Sequence, residues 1–224
     1  MGTIVKICGL TSEEALDAAI AHGADMAGFI VHEKSPRHIS LGLAARLGRR
    51  AGARICKVLL TVDAGDALLS AAIAALDPAA LQLHGAETAG RVGAIRARFG
   101  LPVIKAIGIG SADDLALIAQ FETVADLLLL DAKPGPQART LGGTGKSFDW
   151  GILAGTRVAK PWLLAGGLDA ANVGSALART GARGVDVSSG VEGALGIKDG
   201  AKIAAFIAAA RLAAENSSPA PALT

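Results

Sequence analysis

Short apolar runs alternate with longer, Ala- and Leu-rich stretches along nearly the whole chain. The apolar runs predict strands over 3–7, 26–31, 55–62, 80–83, 102–106, 127–130, 162–165 and 184–187. Several are continuous Val, Ile and Leu rather than alternating, the pattern of strands covered on both faces. Between them, polar residues recur at helical spacing and predict helices over 13–22, 43–50, 66–75, 87–98, 112–120, 172–180 and 198–213. The stretch Thr11-Ser12-Glu13-Glu14 reads as a helix N-cap with a capping-box glutamate. The strand–helix units follow one another at roughly 28-residue spacing with no linker, as one continuous βα repeat does. That count predicts an α/β fold, a single (β/α)8 TIM barrel over residues 1–214. A doubly wound open sheet is the competitor, but it uses fewer strands over this length. Residues 215–224 are Ser-, Pro- and Ala-rich and are expected to form a disordered tail. The Pro- and Gly-rich stretch 133–145 is expected to be a long loop after the sixth strand, of a length often tied to function.

Composition narrows the class without naming a chemistry. Of 224 residues, 51% are hydrophobic and 19% charged, far from a disordered composition. Lys and Arg total 22 against 20 Asp and Glu, a net charge of +2, too balanced for a surface built around a nucleic-acid backbone. No uncharged apolar run approaches the roughly 18 residues of a membrane span. The start MGTIVKICGLTSEE lacks a basic segment followed by an apolar one, so no signal peptide is expected. Lys6 stands where a myristoylation motif beginning at Gly2 needs Ser or Thr. Two cysteines, Cys8 and Cys56, suit a reducing compartment rather than a disulfide framework, and a cytoplasmic protein is expected.

In a parallel barrel the residues at the C-terminal ends of the strands converge on one face. Here that rule collects Cys8 and Gly9, then Lys34, Ser35 and Arg37, then Gln82 and His84, then Lys105 and Asp131. Gly166 and Gly167 follow the seventh strand; Ser188, Ser189 and Gly190 follow the eighth. The last two groups, in LAGGL and DVSSGVE, occupy the loops with which barrels often bind phosphate. Glycines there let backbone N–H groups close on an anion. The string GGTGKS imitates a phosphate-binding P-loop, but Thr140 replaces its first glycine and no strand directly precedes it.

Singly, each of the others is ambiguous. Cys8 reads as a small core residue or as a nucleophile or base, and Cys56 as core. Asp131 is a cap or an acid, Arg37 a surface cation or an anion ligand, and His84 a core hydrogen-bonding group or an orienting one. His22, His32 and His38 have no metal-ligand spacing, and no metal site is expected.

Taken in order, VKICGLT, GADMAGFIVHEKSPRHIS, LQLHGAE, VIKAIG, LLLDAK, GGTGKSFDW, LAGGLDAANV and GVDVSSGVEGALGIKD resemble the phosphoribosylanthranilate isomerase family of tryptophan biosynthesis. The combination of KICG, SPR, QLHG and GGTG-FDW is specific, although no single piece is. The resemblance implies an Amadori rearrangement of N-(5-phosphoribosyl)anthranilate to 1-(2-carboxyphenylamino)-1-deoxyribulose 5-phosphate, without cofactor or metal. It implies Cys8 as general base, Asp131 as general acid and Arg37 as the holder of the anthranilate carboxylate. Gln82, His84 and Asp186 are assigned to substrate binding, and Gly166, Gly167, Ser188, Ser189 and Gly190 to the phosphate. The expected partner is this small molecule, with no nucleic acid or membrane, on a monomer or homodimer. Asp63 stands where many relatives have Asn, and the loop KPGPQARTLGGTG is longer than the shortest family versions. Two alternatives are a histidine-pathway aminoaldose isomerase and a non-catalytic ribose-phosphate sensor. The first leans on a carboxylate where this chain has Cys8, and the second has no need of an acid–base pair.

Overall fold

The computed structural model describes residues 2–133 and 149–217. Eight parallel strands close into a barrel in sequence order: β1 (Ile4–Cys8), β2 (Met26–Ile30), β3 (Cys56–Thr61), β4 (Ala80–Leu83), β5 (Val103–Ile109), β6 (Leu127–Ala132), β7 (Trp162–Leu164) and β8 (Gly184–Val187). The ring shuts where Ile4–Ile7 register with Gly184–Val187. Outside lie α1 (Glu13–Ala21), α2 (Leu41–Ala51), α3 (Asp66–Leu76), α4 (Ala89–Phe99), α5 (Ala116–Glu122), α6 (Val173–Thr180) and α7 (Gly200–Ser217). The expected (β/α)8 barrel is the observed architecture.

The apolar runs have the two-sided burial that their composition implies. Val5, Ile7, Phe29, Leu59, Leu81, Leu128 and Leu130 belong to the layer between strands and helices. Val58, Ala80, Ile104, Ala106, Leu129, Leu163 and Ala165 fill the inside of the ring. A small cluster of Cys8, Ile30 and Leu60, backed by Val62, includes the last residues of β1 and β2. The helices are stopped and started by local chemistry: Ser40 and Thr88 cap α2 and α4 by accepting from Leu43 N and Arg91 N, both at 3.2 Å. Gly48 lets α2 lie against the end of α3, where an added Cβ would be 2.4 Å from the Leu76 carbonyl oxygen.

Several boundaries differ from those read in the sequence. β1 extends through Cys8 and β6 through Ala132, so Cys8 and Asp131 sit on strands rather than after them. Strand alternation therefore fixes their direction, which a loop position would leave open. Ser12 is the α1 cap and accepts from Ala15 N, so neither glutamate occupies the expected capping-box position. The stretch 112–120 divides into a 3-10 turn (Ala112–Leu115) and α5. Lys198 is not helical: it lies in a two-stranded ribbon of β9 (Glu192–Ala194) and β10 (Ile197–Lys198), and α7 starts two residues later. At its other end α7 continues through Ser217, past the expected boundary at residue 214. Most of the loop 133–145, the GGTGKS string and residues 218–224 lie outside the described residues.

Lys105 is a correction of another kind. Its neighbours Ile104 and Ala106 face the barrel interior, so Lys105 faces out, away from the mouth. There Nζ donates to Glu87 Oε2 (2.8 Å) and the Gly85 carbonyl (2.7 Å) and stands 5.5 Å from the Phe121 ring. Glu87 in turn accepts from Asp63 N and Gly85 N, both at 2.9 Å, joining the loops after β3 and β4. Asp63 has φ 47°, a left-handed conformation that Asn and Asp tolerate best.

Asp114 ties the loop after β5 to the end of β6. It accepts from Gly110 N (2.8 Å), Ser111 N (2.9 Å) and Lys133 Nζ (2.8 Å). The Lys133 hydrogen bond, aided by the two backbone donors, holds its carboxyl at about 2, below the ordinary 3.8. A depressed folded-state pKa contributes stability that is complete above the unfolded value and fades as pH falls toward the folded one. Asp114→Asn is therefore expected to lower Tm at neutral pH. The gap to wild type should narrow as pH falls below about 4, measured by thermal unfolding across a pH series; a gap independent of pH would contradict the assignment.

Candidate active site

The C-terminal end of β1 carries the first group. Lys6 and Cys8 share the inward face, two residues apart, while Val5 and Ile7 face the helices. Lys6 is fully buried and its Nζ lies 2.6 Å from Asp186 Oδ1 on the neighbouring strand β8, where the two residues are in register. Burial works against the Lys6 charge, but Asp186 and Cys8 outweigh it and raise its pKa to about 12, so Lys6 is a cation at neutral pH. Cys8 feels the opposite balance. Burial pushes the thiol up, and the positive charges of Lys6 and Lys198 pull it part of the way back. Gly28 on β2, in register with Cys8, makes the room: a Cβ there would be 2.8 Å from Cys8 Sγ and 3.1 Å from Lys6 Nζ.

Arg37 is not a surface cation. It is 4% exposed and runs directly over Gly9, where a Cβ would meet its Cδ at 2.7 Å. Gly9 also has φ 77°, so both its conformation and its contact require glycine. The guanidinium is gripped through Nε (2.6 Å) and Nη2 (3.0 Å) by the two carboxylate oxygens of Glu192 in β9. Lys198 in β10 donates to the same carboxylate at 2.8 Å and to the Ser188 carbonyl at 2.9 Å.

Across the mouth, β4 and β6 form a chain of polar contacts. Gln82 Nε2 is 2.9 Å from His84 Nδ1, and His84 Nε2 is 3.4 Å from Asp131 Oδ2. With Gln82 donating, Nδ1 accepts and the ring proton sits on Nε2, facing Asp131. The other carboxylate oxygen accepts from Ala132 N at 2.8 Å. Gln82 Oε1 is buried with no hydrogen-bond partner among the described residues.

The two glycine loops meet. Gly166 and Gly167 have φ 91° and 65°, and an added Cβ on Gly166 would be 2.5 Å from Ala132 N. A Cβ on Gly190 would be 1.9 Å from the Leu168 carbonyl oxygen, so the loop after β8 presses against the loop after β7. Ser189–Val191 form a single 3-10 turn at the place where barrels with phosphate sites carry a short extra helix.

Cys8, Arg37, Gln82, His84, Asp131, Asp186 and both glycine loops thus lie at or beside the C-terminal ends of β1, β2, β4, β6, β7 and β8. Three positions escaped sequence reasoning: Gly28, Glu192 and Lys198. The glycines at 193 and 196, three positions apart within VEGALGIK, were the available signal for a tight ribbon. Chemically the mouth offers a thiol beside a lysine, a carboxylic acid held by an imidazole, a guanidinium and glycine-lined backbone. Among the described residues no cluster of His, Cys, Asp and Glu is arranged to hold a metal.

Residues 5–209 match the family model described as N-(5'phosphoribosyl)anthranilate (PRA) isomerase. An N-(5'-phosphoribosyl)anthranilate isomerase of Beijerinckia indica subsp. indica is 61% identical over 211 residues, covering 94% of this chain and 95% of the relative. The crystal structure of phosphoribosyl anthranilate isomerase from Thermotoga maritima matches with TM-score 0.83 and 32% identity, over 93% of this chain and 98% of that one. A second crystal structure of such an isomerase, in complex with reduced 1-(o-carboxyphenylamino)-1-deoxyribulose 5-phosphate, matches with TM-score 0.81 and 31% identity over the same shares. With a family model matched over most of its length and a relative 61% identical, the chain belongs to the N-(5'-phosphoribosyl)anthranilate isomerase family.

Proposed function

We propose that this chain isomerises N-(5'-phosphoribosyl)anthranilate to 1-(2-carboxyphenylamino)-1-deoxyribulose 5-phosphate with Cys8 as general base and Asp131 as general acid. The observation that carries the assignment is the pairing of a lysine-flanked thiol on β1 with an imidazole-held carboxyl on β6. Asp131 delivers a proton to the furanose oxygen as the C1–O bond breaks, and the nitrogen lone pair forms an iminium at C1. That iminium acidifies the C2 proton, which the Cys8 thiolate removes; the resulting enaminol tautomerises to the C2 ketone. The substrate gains one proton on the ring oxygen and loses one from C2, so its composition is unchanged, and Asp131 and Cys8 regain their starting states by proton exchange with water.

Each neighbour has a part in that sequence. Lys6 supplies positive potential where the thiolate forms, and Asp186 keeps Lys6 charged and fixed. His84 presents Nε2–H to Asp131 and Gln82 holds the ring in that tautomer. Arg37 takes the anthranilate carboxylate, and Gly166, Gly167, Ser188, Ser189 and Gly190 take the phosphate. The free thiols Cys8 and Cys56 suit the reducing cytoplasm, where we place the protein. Among the described residues no helix is long and apolar enough to cross a membrane. A Thermotoga maritima relative is described as dimeric, and a monomer or homodimer is our reading here.

The direct test follows the anthranilate fluorescence of freshly made substrate with purified, folded protein. Failure to accelerate its conversion would sink the enzymatic reading. For the phosphate loops, a liganded structure is expected to place the phosphate against backbone amides of Gly166–Gly167 and Ser188–Gly190. Gly190→Ala drives a methyl into the Leu168 carbonyl and must part the two loops. It is expected to raise KM by ~10-fold or more, since small displacements of positioning groups carry large penalties. A phosphate found near residues 142–145, or an unchanged KM, would contradict the placement.

A further inference from the structure

The Arg37 fork is already half used. Glu192 occupies Nε and one hydrogen of Nη2, and Nη1 makes no hydrogen bond among the described residues. A guanidinium has five N–H donors, so the Nη1/Nη2 end can still take a second carboxylate in a two-point grip. Glu192 is nearly as buried as Arg37, at 6% against 5% side-chain exposure. Burial alone would raise its carboxyl, yet the hydrogen bonds from Arg37 and Lys198 hold it below the ordinary value, so it stays ionised. The cluster is two cations and one anion, net +1, which matches one incoming carboxylate.

The ribbon that carries Glu192 is itself hydrogen-bonded to the loop after β1 and packed against Arg37's own loop after β2. Thr11 Oγ1 donates to the Gly196 carbonyl at 3.2 Å, and Gly196 N donates to Glu192 Oε2 at 3.2 Å. Gly196 has φ 78°, and a Cβ there would be 2.6 Å from the Pro36 carbonyl oxygen. Glu192 is therefore held by its own ribbon as well as by Arg37, and can serve as the mount of the guanidinium.

We propose that Glu192 and Lys198 are positioning residues for the substrate's carboxylate. Glu192 holds Arg37 by its side edge and reserves the Nη1/Nη2 end for that carboxylate, while Lys198 offsets the Glu192 charge that would otherwise repel it. The inference rests on the reading of Arg37 given above. The sequence could not supply it, because Glu192 and Arg37 are 155 positions apart.

Two stable ligands separate carboxylate recognition from everything else: reduced product carrying the 2-carboxyl group, and the same molecule built on aniline without it. Their Kd values are measured by calorimetry on wild type, Arg37→Ala, Glu192→Gln, the Arg37→Ala/Glu192→Gln double variant and Lys198→Met. Arg37→Ala is expected to abolish the preference for the carboxylated ligand. Glu192→Gln is expected to weaken the carboxylated ligand by ~10-fold, the scale of a lost charge-assisted contact, and leave the other unchanged. In the Arg37→Ala background the Glu192 change should have no further effect on the preference. Lys198→Met, which leaves Glu192 uncompensated, is expected to reduce the preference as well, and it decides the matter if Glu192→Gln does not fold.

Equal weakening of both ligands by Glu192→Gln would make Glu192 a general support of the mouth and overturn the proposal. Tighter binding of the carboxylated ligand would overturn it too, since Glu192 would then compete for the guanidinium. If Arg37→Ala keeps the wild-type preference, the reading of Arg37 itself falls. If it loses the preference while Glu192→Gln and Lys198→Met keep it, only the present inference falls.

Discussion

Replacing Cys8 by serine is expected to lower kcat by ~10²–10⁴ while the barrel remains folded, the range for loss of a positioned general base. Serine nearly preserves the volume beside Ile30, Leu60 and Gly28, so packing is conserved and proton-accepting power is not. Cys8→Ala should be scarcely worse than Cys8→Ser. The pH dependence adds a signature that packing cannot mimic. Burial pushes the Cys8 thiol above its ordinary value, so its limb in kcat/KM belongs on the alkaline side. That limb should vanish in Cys8→Ser. Lys6→Met should move it to still higher pH, because the ammonium stabilises the thiolate relative to the thiol. Steady-state kinetics across pH, with circular dichroism to verify folding, are the measurement. Near-wild-type turnover of Cys8→Ser would return the thiol to the core and send the search for a base elsewhere in the mouth.

Asp131→Asn is expected to cost kcat a comparable ~10²–10⁴, since it removes the transferable proton and leaves the shape. The amide oxygen can still accept from Ala132 N or from His84 Nε2, so the local arrangement has no reason to collapse. The loss should fall on kcat more than on KM, because the proton is needed only as the C1–O bond breaks. His84→Asn offers the contrast. His84 acts through Asp131, and its removal should cost only about 10-fold, of the order of one side-chain hydrogen bond. A His84→Asn defect as deep as that of Asp131→Asn would move the acid from the carboxyl to the imidazole, and equal turnover of Asp131→Asn and wild type would remove Asp131 from the chemistry.

The barrel was legible because its cause is local and repeated. Strands such as 127–130 are apolar on both faces whatever lies around them, and the helical spacing between them recurs until the ring is full. Cys8, Arg37, Asp131 and the two glycine loops could be nominated for the same reason: strand ends in a closed parallel barrel share one face. Boundaries erred where a single residue decides them. With Ser12 as the α1 cap the capping-box position fell on Ala15 instead of a glutamate, and Lys198 went to a ribbon instead of a helix.

Alternation settled one further case that the strand end alone did not. Lys105 and Lys6 are both lysines within barrel strands, yet one faces the helices and the other the interior. What the sequence by itself determined, then, is the set of barrel strands with their order and the face on which their ends collect. Only the tertiary structure decided which charges meet: Lys6 with Asp186 across 180 positions, Arg37 with Glu192 across 155. The physical reason is that periodicity and propensity act over a few residues, whereas an ion pair acts through space. Its partner is chosen by ring closure and strand register, which no local pattern records.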